Sequence, residues 1–193
     1  MATVTARERL VQAAVEAFAE KGFTATTTRD IASRAGMSPA AVYVHHDSKE
    51  DLLFHVSLEG HRAALGVVRE AVAAGGSPVE VLRRAVHDFS RWHAANSRVG
   101  RIVQYEFDAL TPEHRAEVAA LRRAIEHVLR DVLDDGVRRG AFAVADVAGT
   151  ARAILSLSID LVRWFRPRGS EDEHTAETIA SLHADLAERM VAA

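Results

Sequence analysis

The sequence contains no cysteine, only four prolines and no apolar run of the length that crosses a membrane. Without cysteine it can form neither a disulfide framework nor a thiolate metal site. Without a run of about 18 apolar residues it has no transmembrane helix. The first residues, MATVTARERLVQ, also lack the apolar core of a signal peptide. We therefore expect a cytoplasmic protein that makes no contact with a membrane.

The sequence also lacks an excess of positive charge. Its net charge is −3 at neutral pH, and residues 1–50 contain six Lys or Arg and six Asp or Glu. This balance argues mildly against a nucleic-acid partner. If such a partner is bound, few counterions are released and binding without sequence preference is modest.

The prolines lie where helices begin or end. Pro39, Pro78 and Pro112 each follow Ser or Thr, which is the order of an N-cap and a first helical residue, and Pro167 follows an apolar helix and is expected to end it. Elsewhere apolar residues recur every three or four positions, and no alternating strand pattern is present. The expected fold class is all-α, with about nine helices.

Residues 26–49, TTTRDIASRAGMSPAAVYVHHDSK, predict a helix-turn-helix. Thr27 can cap a first helix with Asp30 as the reciprocal residue of a capping box. Gly36 supplies the left-handed position that ends this helix, and Ser38 caps a second helix of about seven residues. A helix so short is not stable alone, and its small and polar residues suit a DNA groove better than a core.

The same stretch carries a family resemblance. AAVEAFAEKGFTATTTRDIA (13–32), AGMSPAAVY (35–43) and SKEDLL (48–53) resemble the N-terminal domain of the TetR family of bacterial transcriptional repressors, in order and at the family's spacing. One departure is His46, where the family usually has an aromatic residue, commonly Phe. The resemblance implies a dimer that binds the two halves of a palindromic operator, with heads about 34–36 Å apart.

Nine residues are candidates for contact with double-stranded DNA. In a helix-turn-helix, Ser38, Ala40 and Ala41 face base edges, the N–H and hydroxyl groups of Thr27 and Thr28 can hold a phosphate, and Arg29 can reach a base or a phosphate. The resemblance adds three residues at family positions near phosphates: Tyr43, His45 and Lys49.

The helices divide into a helix-turn-helix domain, residues 1–50, and a helical effector-binding and dimerisation domain, residues 51–193. A helix from Lys49 to about Ala73 joins them without a flexible linker. A helix at about 144–166 is apolar on more than one face and another at about 172–191 is amphipathic. We expect these last two helices to form a four-helix bundle with their copies in a homodimer; completion of a monomeric core is the alternative.

The second domain should hold a small apolar effector between its helices. Six residues at inward spacing are candidates to line that site, although each could equally fill core: Phe89, Trp92, Tyr105, Phe107, Ile125 and Trp164. The stretches 104–123, 136–142 and 163–186 resemble TetR-type regulators that respond to acyl-CoA thioesters of fatty-acid and steroid catabolism. That resemblance implies an acyl-CoA effector, with CoA phosphates near basic residues, for which the candidates are Arg122, Arg123, Arg163 and Arg166.

Parts of the sequence are also compatible with two other functions. Glu171 and His174 form a Glu-x-x-His pair, a fragment of di-iron chemistry, but that chemistry needs two pairs and two more carboxylates. No motif of a serine hydrolase, zinc protease or P-loop is present, so we expect neither an enzyme nor a cofactor or metal. The second alternative is a helical ligand-binding protein without specific DNA binding, which the neutral N-terminal part keeps open.

Overall fold

The computed structural model describes residues 5–166 and 175–192, and these residues form an all-helical structure. They contain nine α-helices, one short 3-10 turn and no strand. The nine helices are α1 (Ala6–Ala25), α2 (Thr28–Arg34), α3 (Pro39–His45), α4 (Lys49–Ala73), α5 (Pro78–Ala95), α6 (Ser97–Tyr105), α7 (Pro112–Arg138), α8 (Val147–Trp164) and α9 (Ala176–Val191), and the 3-10 turn is Phe107–Ala109.

Local capping explains where the helices begin. Thr5, Thr27 and Ser77 each form a capping box with the acidic residue three positions later, and Ser38 accepts a hydrogen bond from the backbone N–H of Ala41. Gly22 has a φ of 77°, a conformation that glycine adopts readily, and it interrupts α1. The chain nevertheless returns to helical geometry and continues to Ala25.

The residues group into two compact units. The first unit comprises the chain up to His61 together with Arg98–Ala119. In it α1, α2 and α3 pack against one another and bury residues such as Leu10, Ile31 and Val42. The segment Arg98–Ala119 had been assigned from sequence to the second domain; the domain boundary at residue 50 stays a prediction.

The second unit comprises Arg62–Ser97 and the chain from Ala120 onward. In it α5 packs against both α8 and α9. Leu82, Leu133 and Ile154 are among the fully buried residues of its core. Within the described part of the chain, no helix has the length and apolar character needed to span a bilayer.

The apolar character of α8 was overestimated from sequence. Its exposed residues include the polar Arg152, Ser156 and Asp160, and also Trp164 at its end, so α8 has a polar face beside its buried one.

Candidate DNA-binding site

The helix α3 presents most of its surface to solvent. Val42 is its buried residue and anchors it. Tyr43 is 56% exposed and Val44 is 76% exposed, which is unusual for side chains of this size. The candidates Ser38, Ala40 and His45 are exposed as well, and Ala41 is half-buried. The helix is thus held by one side and free on the other, as insertion into a groove requires.

Two hydroxyl groups meet beside this exposed face. The Tyr43 hydroxyl lies 3.2 Å from the hydroxyl of Thr28, the first residue of α2. Either group can donate to the other, and each keeps further capacity to bind an outside acceptor. The pair therefore forms a polar point, on two helices, at which a phosphate oxygen can be held.

The N-terminus of α2 is less open to a phosphate than the sequence suggested. The Asp30 carboxylate accepts hydrogen bonds from the hydroxyl (2.7 Å) and the backbone N–H (2.9 Å) of Thr27. These bonds, with Lys21 at 3.1 Å, lower the pKa of Asp30 to about 2. Thr27 is therefore engaged in capping, and a phosphate there would meet a carboxylate.

Lys49 occupies a different place from the one expected. Its Nζ donates to the backbone carbonyls of Phe23 (2.7 Å), Thr26 (2.8 Å) and Thr24 (3.3 Å), and lies 4.3 Å from the centre of the Phe23 ring. An ammonium group has three hydrogens, so its donors are all used at the end of α1. This geometry makes Lys49 a structural residue, and its side chain is not positioned for the predicted phosphate contact.

The remaining cations of this unit are few. Arg34 pairs with Glu20 and lies 3.9 Å from Glu16, both on α1. Arg29 is exposed on α2, and among the described residues no ion pair is found for it. Arg29 and His45 are therefore the basic candidate residues whose side chains remain exposed.

Three residues whose partners could not be predicted from the sequence connect separate segments of this unit. The carboxylate of Glu106 accepts from the backbone N–H of Phe23 (3.2 Å), next to the interruption at Gly22. The carboxylate of Glu50, in the first turn of α4, accepts from the Thr111 backbone N–H and the His114 ring, both at 2.9 Å. The His114 ring also stacks on Phe54, with 3.8 Å between ring centres. No local pattern reveals such contacts, since the partners are 61 and 83 residues apart in the chain.

His46, Asp51 and His55 bring their polar atoms within 4.8 Å of one another, a spacing that could suit a metal ion. Their hydrogen bonds indicate another use. The Nδ1 atom of His46 lies 2.8 Å from the Asp51 carboxylate. The Nδ1 atom of His55 lies 2.8 Å from the Asp51 backbone carbonyl. Each Nδ1 is thus a donor, and the Nε2 of His55 accepts from Arg7. Because Arg7 already occupies Nε2 of His55 and its positive charge would repel a metal ion, we assign a hydrogen-bond network.

The structure does not bring the six predicted effector-lining residues together within one unit. Phe89 and Ile125 lie in one core cluster of the second unit, with Trp92 half-buried against it. Tyr105 and Phe107 belong to the first unit. Tyr105 and Trp164 are about half exposed, so the inward orientation expected for them is wrong.

A narrow apolar pocket does lie within the second unit. It has about 220 Å³ of empty space including its mouth. Phe89 is the predicted residue on its wall, and Ser158 is the polar one. The full lining is Val68, Ala85, Val86, Phe89, Leu129, Ile154, Leu155 and Ser158.

Ser158 belongs to a buried polar cluster. Its hydroxyl lies 2.7 Å from that of Ser90, which lies 3.1 Å from Nδ1 of His183. Burial lowers the pKa of His183, so its imidazole is neutral at pH 7. The cluster therefore gives an apolar pocket one uncharged hydrogen-bonding group.

The predicted basic partners of CoA phosphates lie apart from this pocket's wall. Arg163 is exposed and pairs with Asp160 at 3.3 Å, and Arg166 donates to nearby backbone carbonyls. Arg123 is exposed and Arg122 is half-buried. Glu171 and His174, considered for di-iron chemistry, lie outside the described residues.

Comparison with known proteins gives two family matches. Residues 10–56 match the family described as bacterial regulatory proteins of the tetR family, and residues 75–191 match the tetracyclin repressor-like C-terminal domain. The chain is 33% identical over 184 residues to the HTH-type transcriptional repressor KstR2 of Rhodococcus jostii (strain RHA1), covering 93% of this chain and 88% of that one.

Two solved structures have the same fold. A bacterial regulatory protein of the tetR family from Rhodococcus RHA1 is 40% identical and superposes with a TM-score of 0.91, covering 98% of each chain. AibR, solved with isovaleryl coenzyme A and operator DNA, is similar with a TM-score of 0.83 at 23% identity, covering 94% of this chain and 97% of that one.

Proposed function

We propose, from the premise that this chain belongs to the TetR family of DNA-binding bacterial regulators, that it represses transcription by placing α3 of each subunit in the major groove of a palindromic operator. The family match and the repressor KstR2 support this role. The observation that carries it is the exposed face of α3, with Tyr43 and Val44 turned outward and only Val42 buried. The family consists of regulators, so the chain is not an enzyme.

The contacts with DNA divide by chemistry. Ser38, Ala40 and Ala41, at the N-terminal end of α3, meet base edges, where an alanine methyl can touch the methyl of thymine. The hydroxyls of Tyr43 and Thr28 bind one phosphate together, and Arg29 and His45 approach others. Thr27 acts through capping, and Lys49 supports α1.

The direct test is Tyr43→Phe, measured by fluorescence anisotropy on a duplex selected from a random library with the wild-type protein. Loss of one charged hydrogen bond should weaken binding by about tenfold, equally for all sequences. Gln12→Ala, at an exposed position of α1, is the matched control and should bind as the wild type does. Wild-type affinity in Tyr43→Phe would reject the phosphate contact.

The homodimer that presents two α3 helices is proposed to form through α8 and α9. Leu182, Leu186 and Met190 follow one another at four-residue steps, so they lie along one line of α9. Leu182 and Met190 are exposed, as is Trp164 on α8. Exposed apolar side chains aligned along one helix, which we call the apolar strip of α9, are typical of a subunit interface.

An effector with an apolar body and one hydrogen-bonding group would release the DNA. The pocket beside Ser158 has this chemistry, and AibR shows that the fold can carry a coenzyme A thioester. Its volume is below the about 300–1,000 Å³ of common ligand sites, so the ligand must widen it, which couples binding to a change of shape. An acyl-CoA then weakens DNA binding by the difference between its affinities for the two shapes.

Titration of the protein–duplex complex with acyl-CoAs of increasing chain length tests whether the effector is an acyl-CoA. We expect anisotropy to fall at a preferred length. An unchanged signal across the series would reject acyl-CoA as the effector and leave the DNA-binding role standing.

A further inference from the structure

We propose that His46 is a positioning residue for DNA binding: its hydrogen bond to Asp51 fixes the C-terminal end of α3 on α4, and protonation of His46 releases that end. The inference rests on the proposed role of α3 as the helix that reads DNA. It assigns a function to the one residue of the helix-turn-helix that departs from the aromatic expected at its position.

The link is short and joins two helices. His46 directly follows α3, and its backbone N–H donates to the Val42 carbonyl at 2.8 Å. Its ring Nδ1 lies 2.8 Å from the Asp51 carboxylate. Asp51 is in the first turn of α4, where its own N–H donates to the Ser48 hydroxyl at 3.0 Å. One side-chain bond therefore holds the end of α3 against the start of α4.

The proton arrangement of the ring follows from its partners. A carboxylate only accepts, so Nδ1 carries the hydrogen and Nε2 carries a lone pair. The side chain of His46 is 0% exposed, and Nε2 has no hydrogen-bond partner among the described residues. A second proton would create a buried N–H with no acceptor, which is more costly than an unpaired lone pair on an uncharged ring.

The charged groups around the ring act on a His46 cation in both directions, and Asp51 has the largest effect among them. Asp51 attracts one, whereas Arg7 from α1 and His55 from α4 oppose it. The His55 ring stands edge-on to His46 with 4.9 Å between centres, and its Nε2 already accepts from Arg7. Burial is the largest influence and lowers the pKa of His46 below its ordinary value.

Acidification is expected to weaken the link between α3 and α4. The docked state, with neutral His46, holds fewer protons than a state in which the ring reaches water and titrates normally near pH 6.5. Acidification through that pH therefore favours release of the α3 end, and DNA affinity falls.

The test compares the wild type with His46→Asn and His46→Phe on a duplex selected by the wild type at pH 8. Asparagine places an amide N–H near the position of Nδ1 and does not titrate; phenylalanine restores an aromatic ring. His45→Gln in all backgrounds removes the neighbouring histidine, so that the comparison isolates position 46. Between pH 8 and about pH 5.5 we expect the wild type to lose about tenfold more affinity than either His46 variant. At pH 8, His46→Asn should bind within a factor of about three of the wild type.

A second measurement needs no DNA. Amide hydrogen exchange of residues 40–46, corrected for the intrinsic effect of pH, should accelerate on acidification in the wild type and not in His46→Asn. Circular dichroism at each pH confirms that the proteins remain folded. Parallel pH profiles of affinity and of exchange in wild type and variants would overturn the proposal. Failure of the wild type to select any duplex would overturn the proposed function instead, and the exchange experiment would then decide on the His46–Asp51 link alone.

Discussion

Lys49 and Arg29 are both cations of the first unit, but their side chains lie in opposite surroundings. Lys49 gives its three hydrogens to carbonyls at the end of α1, and Arg29 extends into solvent on α2. Capping of a helix C-terminus by a cation stabilises the fold, whereas an exposed arginine near α3 is available to phosphate.

This contrast gives a paired prediction. Lys49→Met should lower the free energy of unfolding by about 1–2 kcal/mol, because charged hydrogen bonds are lost, and should leave the salt dependence of DNA binding unchanged. Arg29→Gln should leave stability unchanged and reduce the slope of log affinity against log salt by about 1 per subunit. Urea unfolding and anisotropy at several salt concentrations measure both quantities. A reduced salt slope in Lys49→Met would restore the phosphate contact expected from sequence.

Single residues also show where sequence reasoning stops. The caps at Thr5, Thr27 and Ser77 were predictable because each partner lies three residues away. The contacts of Lys49, Glu50 and Glu106 could not be predicted, because their partners are distant in the chain. A charged side chain at the surface can be paired or solvated in many ways. The burial of His46 was also invisible, because a histidine suits both the surface and the core.

At the scale of whole elements, a glycine in α7 lets an aromatic ring pack directly against the helix backbone. Gly136 lies near the end of α7, and a Cβ there would be 1.9 Å from the ring of Phe142. The chain turns just after α7 and returns Phe142 over this glycine, with the Phe142 N–H donating to the Gly136 carbonyl at 3.2 Å. Sequence spacing alone does not predict this contact.

Gly136→Ala should therefore destabilise the second unit by about 1–3 kcal/mol, since the buried Phe142 ring must move. Gly66→Ala is the matched control: Gly66 lies inside α4 with nothing within 4 Å of an added Cβ, and alanine there should stabilise by about 0.5–1 kcal/mol. Thermal unfolding separates the two outcomes. Equal effects of the two substitutions would show that helix propensity, and not the Phe142 contact, governs position 136.

At the scale of the whole molecule, function depends on pairing two copies so that two α3 helices meet one duplex. The number and order of helices could be predicted, because caps and apolar periodicity are local. The exposure of Trp164 and Tyr105 could not be predicted, because apolar residues recur at the same spacing on a core face and on an interface.

Leu182→Glu should convert the dimer to a monomer and abolish binding to the selected duplex, because it places a charge on the apolar strip of α9. Ser181→Glu, one residue away and about 100° around the same helix, should remain dimeric. Sedimentation equilibrium gives the mass directly. A dimer that persists in Leu182→Glu would place the interface elsewhere.

The central claim is that the exposed face of α3 reads base edges, and selection of duplexes from a random library with wild type and with Ala40→Gln tests it most directly. The account predicts a palindrome whose half-sites are about one helical turn apart, and a changed base at one symmetric pair of positions for the variant, with unchanged spacing. Identical selected sequences for both proteins, or the absence of a palindrome, would contradict it.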